Sequence, residues 1–74
     1  MSRLPTLTAK QVAKALQKAG FVAHHQRGSH LFLHHPTTGR NTIVPMHGGD
    51  LHRGLLKEII KQAGLTEDEF RSFL

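Results

Sequence analysis

The chain has no cysteine, no tryptophan and no tyrosine, and only four phenylalanines in 74 residues. Without cysteine, disulfides, zinc–thiolate centres and thiol nucleophiles are excluded. With so few large rings, Leu, Ile, Val and Ala must do most of the packing. A chain of this length buries roughly 60% of its unfolded surface, so the core is thin. No apolar run approaches the ~20 residues of a membrane span. The opening "MSRLPTLTAKQVAKAL" has no apolar stretch of the secretory kind, so a cytoplasmic location without membrane attachment is expected. Acid is missing too, over a long stretch. Residues 1–49 carry six Lys or Arg and no Asp or Glu, a charge of +6, while residues 50–74 carry −1. A basic, acid-free two-thirds of a chain suits a polyanionic partner.

What is present reads as one α+β domain over residues 1–74. "TAKQ" at Thr8–Gln11 is a capping box. Ala9, Val12, Ala13, Ala15, Leu16 and Ala19 fill one arc of the helix that follows. Lys10, Lys14 and Lys18 lie opposite, and Gly20 ends the helix. Three strands are expected over "FVAHHQ" (21–26), "HLFLHH" (30–35) and "NTIVPMH" (41–47), joined by turns at "RGS" and "PTTGR". Pro45 places the third strand at an edge or ends it. A second helix begins at about Leu51 or Arg53 and runs to Ala63, with Leu55, Leu56, Ile59 and Ile60 as its stripe. Thr66 and Glu69 box a last helical turn. The order is α-β-β-β-α, with both helices packed on one face of a three-stranded antiparallel sheet. Double-stranded RNA-binding domains share that topology.

The chemistry concentrates in "HHQRGSHLFLHH", residues 24–35. Three uses compete: a metal site, an acid–base site, or a polar sheet face. Adjacent histidines on a strand point to opposite faces, so His24-His25 and His34-His35 chelate poorly. No helical His pair and no carboxylate cluster supports a metal, so none is expected. His30 follows Gly28-Ser29 where a turn meets a strand, with Arg27 beside it. A phosphodiester fits there, its oxygens held by Arg27 and by the turn at Gly28 and Ser29. Histidine titrates near neutral pH and moves protons without a metal. On residue types alone, a polar strand residue explains His30 equally well. His47 is a candidate acid or phosphate ligand, or simply a strand-end residue. Lys10 and Lys14 are candidate phosphate contacts on an otherwise solvated helix face. His24, His25, His34, His35 and His52 read as surface or RNA-facing groups. Phe32 is the only strand aromatic on the His30 face, which argues against base stacking as a readout.

These motifs resemble a family nearly end to end. "LPTLTAKQVAKALQKAGF", "QRGSHLFLHHP" and "NTIVPMHGGDLHRGLLKEIIKQAGLTEDEF" are similar to the first helix, the Gly-Ser-His strand and the Val-Pro-x-His strand with its closing helix in HicA-type toxins. HicA toxins are mRNA interferases of type II toxin–antitoxin systems. The resemblance implies a double-stranded RNA-binding-like fold, mRNA endonuclease activity without a cofactor, and His30 as catalytic histidine. It also implies a HicB-like antitoxin that covers the active site. One departure is visible: Gly54-Leu55-Leu56 stands where the family often has Gly-Thr-Leu. The expected activity is a metal-independent endoribonuclease, a monomer when free. The alternatives are a non-catalytic RNA-binding module of the same fold and a basic domain that docks an acidic protein.

Overall fold

In the computed structural model, residues 4–74 are described; residues 1–3 of the expected domain lie outside them. The element order is α1 (Ala9–Lys18), β1 (Val22–Arg27), β2 (His30–His34), β3 (Asn41–Pro45), α2 (Arg53–Gln62) and α3 (Glu67–Arg71). The strands form one antiparallel sheet in the order β1-β2-β3. This is the expected α-β-β-β-α arrangement with an open sheet. No helix among the described residues is long and apolar enough to cross a membrane.

Local chemistry explains each boundary. The Thr8 side chain accepts from the Gln11 amide while Gln11 returns a bond to the Thr8 amide, so two of the donors stranded at the start of α1 are satisfied. Thr66 and Glu69 do the same for α3. At α2 the cap is His52, whose ring accepts from the Leu55 amide. Before α1, residues 4–8 are tied to the approach to α2. Leu51 N–H donates to the Leu7 carbonyl at 2.8 Å, and Arg53 donates to the Leu4 carbonyl at 3.1 Å. Pro45, which has no amide hydrogen, is the last residue of an edge strand.

One hydrophobic core joins Val12 and Leu16 of α1, Leu33 and Val44 of the sheet, Leu56, Ile59 and Ile60 of α2, and Phe70 of α3. Both long helices pack on β3. Every residue of β1 is exposed, Val22 at 54%. The buried polar side chain Thr42 donates to Gln62 at 3.0 Å.

Two histidines play structural parts that differ from the surface role expected of them. His35 is half-buried against the edge of Phe21, with ring centroids 5.0 Å apart. Its Nε2 bonds the Ala19 carbonyl at the end of α1, and its Nδ1 accepts from the Thr37 and Thr38 amides. A Cβ on Gly20 would lie 2.6 Å from that ring, and Gly20 also has φ +109°. His52 is the α2 cap just described.

Candidate functional site

The site starts from a two-residue turn. Gly28 has φ +58° and Ser29 a negative φ, the sign pattern of a type II′ hairpin turn with glycine at its first central position. Its twist matches that of the flanking strands, so Arg27 and His30 close the β1–β2 ladder as register partners. The Gln26 side chain donates to the Gly28 carbonyl at 3.1 Å. The Ser29 carbonyl accepts from Met46 N–H, which binds the turn to the end of β3. A Cβ at Gly28 would meet nothing within 4 Å, so only the backbone demands glycine there. Gly28→Ala is therefore expected to lower stability by about 1–2 kcal/mol, the cost of a positive φ for an L-residue. Urea unfolding checks this, with Gly28→Asn as the milder variant. An unchanged midpoint for Gly28→Ala would mean the turn is of another type.

The register arranges the helix-free face of the sheet in three rungs. The first is Arg27, His30 and Pro45; the second is His25, Phe32 and Ile43; the third is Val22, His34 and Asn41. Leu31 and Leu33 point the other way, into the core. His30 is exposed, and its side chain forms no hydrogen bond to the described residues. Arg27, Gly28 and Ser29 are exposed beside it.

His47 lies two residues past Pro45. Its Nδ1 is 3.4 Å from the Gly48 carbonyl, which accepts from it. His47 and Lys10 line one hollow of about 400 Å³ with Thr8 and Gly49. So Lys10 lies beside the loop that follows β3, whose Met46 is bonded to the turn. Lys14 does not; it lines a separate hollow with Lys18, Phe73 and Leu74. Of the two lysines, only Lys10 is grouped with a histidine of the candidate site.

One expectation is corrected. A β-bulge between Ala23 and His25 inserts His24 as an extra residue. Strict alternation fails there, and His24 and His25 do not diverge. Their Nδ1 atoms are 3.3 Å apart and their rings meet edge to face at 5.5 Å. His34 is 6.3 Å from His24, ring centre to ring centre. His34 and His35 do diverge, His34 to the open face and His35 toward α1. Among the described residues, no group of three or more His, Cys, Asp or Glu side chains has the geometry to hold a metal ion. Sequence reasoning also missed how His25, Ile43 and Asn41 align with Phe32 and His34, because register is a property of the assembled sheet.

A family model described as the HicA toxin of bacterial toxin–antitoxin systems matches residues 9–65. No curated protein matches the chain. The matched span runs from the first residue of α1 through all three strands and α2. It includes the Gly28-Ser29-His30 turn, and it shows that the chain belongs to the HicA family, the toxins of bacterial toxin–antitoxin systems.

Proposed function

We propose that the chain is a metal-independent endoribonuclease that cleaves mRNA, with His30 as the acid–base group. The observation that carries this reading is the placement of His30. It stands exposed at the head of β2, on the uncovered face, with Arg27 opposite and a glycine turn at its back. Acting as base, His30 takes the proton of a ribose 2′-hydroxyl. The oxygen attacks the adjacent phosphorus, the P–O5′ bond breaks, and water protonates the leaving oxygen. The products are a 2′,3′-cyclic phosphate and a 5′-hydroxyl. Arg27, Gly28 and Ser29 seat the scissile phosphate, while Lys10 and His47 hold a neighbouring one, with Lys14 a more distant contact. A HicB-like antitoxin silences the enzyme by covering this face, and the toxin acts as a monomer in the cytoplasm.

The test is cleavage of a long mRNA in EDTA by wild type and His30→Ala. Cleavage by wild type alone supports the reading. Equal cleavage by both, or loss of cleavage in EDTA with recovery on added metal, sinks it. Arg27→Ala is expected to weaken RNA binding at all sequences alike. It should also lower the salt dependence, the slope of log K against log salt, by about one unit. An unaltered slope would remove Arg27 from the phosphate seat.

A second reading, a binding module without catalysis, draws on one observation. No described neighbour hydrogen-bonds His30 to fix its tautomer, the support that acid–base histidines commonly have. RNA binding by a wild type that cleaves nothing would favour it.

A further inference from the structure

The open face does not stop at His30. One rung further on, the rings of His25 and Phe32 are stacked, with centroids 4.5 Å apart and planes 14° from parallel. Ile43, the register partner of Phe32 on β3, flanks them with 40% of its surface exposed. Large apolar groups on an uncovered face gain from a partner that removes them from water. On the third rung, His34 Nδ1 is 2.7 Å from Asn41 Oδ1. An amide oxygen only accepts, so Nδ1 carries the hydrogen and Nε2 of the neutral ring is left as an acceptor. The Asn41 NH₂ keeps its donors. A donor and an acceptor thus stand side by side next to an aromatic surface.

These groups border a hollow of about 600 Å³ that also takes in His24 and, from the helix-bearing side, Leu33, Thr42 and Gln62. That lies within the range of small-ligand sites, roughly 300–1,000 Å³. All three strands are free of acid, since the first acidic residue of the chain is Asp50. The face is therefore compatible with a polyanion along its whole length.

We infer that the second and third rungs are a platform for one unpaired RNA base next to the scissile phosphate, which stacks against the paired rings of His25 and Phe32 and bonds through its edge to the His34–Asn41 pair. This rests on the RNA reading of the same face and adds the substrate class: RNA that is single-stranded at the cut. A base in a duplex has both faces stacked and its edge engaged by its partner, so it has nothing to offer either rung. His30 precedes Phe32 by two residues on one strand, so the two side chains share a face about 7 Å apart along the strand. Phosphate and base of one nucleotide are thereby served by successive rungs.

The test is binding, measured in the His30→Ala background so that nothing is cut. A labelled single-stranded oligoribonucleotide is compared with its duplex by fluorescence anisotropy. Phe32→Leu keeps the apolar volume and removes the ring. His25→Ala, at an exposed position, removes the stacked partner with no change to the core. Phe32→Leu is expected to weaken single-strand binding about tenfold, the scale of one lost base stack. His25→Ala should weaken it less, and duplex binding should be unchanged by either. An abasic nucleotide walked along the strand should reproduce the loss at one position, and there Phe32→Leu should add nothing further. The platform is overturned if both variants bind the single strand as the parent does, or if duplex binding falls equally. It is also overturned if the protein binds no RNA, which would leave the face to a protein partner. Cleavage is scored separately. A Phe32-sensitive binder that never cleaves keeps the platform and loses the nuclease. An active nuclease indifferent to Phe32 does the reverse.

Discussion

Replacing His30 with alanine is expected to slow RNA cleavage about 10²–10⁴-fold, the usual contribution of a positioned acid–base group. Affinity for RNA should stay near that of the wild type. The reason is geometric. His30 sits at the exposed head of β2 and its side chain forms no hydrogen bond to the described residues, so its removal opens no cavity and strands no buried partner. Substitutions at such positions usually change stability by less than about 0.5 kcal/mol. The positive charges of Arg27 and Lys10, the proposed phosphate contacts, are untouched. A fall in rate without a fall in affinity or melting temperature would therefore report chemistry. Single-turnover cleavage with excess protein separates the two, because it removes binding from the measured rate. A His30→Ala rate within about threefold of wild type would be far below the contribution of an acid–base group. It would move the chemistry to another residue, with His47 the first to examine.

The largest structural effect is expected at the far end of the chain. Phe70 is fully buried, at 0% exposure, and belongs to the same core as Leu16, Leu33 and Leu56. It sits in α3, a helix of five residues. A helix that short is not stable in water on its own. Its capping box fixes where it starts, but only docking keeps it folded. Phe70→Ala removes the ring that docks it and leaves a cavity, at a cost of about 3–5 kcal/mol. A domain of this size has roughly 4–11 kcal/mol of stability in total. The variant should unfold at a much lower urea concentration, and part of it should be unfolded without denaturant. A loss below about 1 kcal/mol would be out of scale for a filled core position and would mean that α3 is not docked.

Much of the fold is legible because it is written in local chemistry. Thr8 with Gln11, Thr66 with Glu69, Gly20 and the Gly28-Ser29 turn each act within a few residues, and each sets a boundary close to the expected one. The Gly-Ser-His triplet is legible for the same reason: a turn residue followed by a titratable strand head is a local pattern. The face of His24 is not. A bulge leaves no mark in composition, and a histidine is compatible with either side of a sheet. Only the pairing of Ala23 with Leu33 and of His25 with Phe32 shows that an extra residue lies between them. The partner of Phe32 was missed for another reason: the turn was expected to span Arg27, Gly28 and Ser29, and only a turn of Gly28 and Ser29 alone sets the register that pairs His25 with Phe32. His35 was likewise read as exposed. Its burial depends on Phe21 and Ala19, which lie well before it in sequence.

The bulge at His24 has an effect beyond the placement of histidines. β1 is an outer strand, and an outer strand with a regular outline can pair with the same strand of another molecule. Here the ladder is broken after Ala23, so the regular outline divides into two residues before the bulge and three from His25 to Arg27. Neither piece is long enough to seed a stable intermolecular ladder. The opposite border, β3, ends in a proline that cannot donate. Both borders of the sheet are thus blunted against strand-to-strand pairing with another copy of the chain.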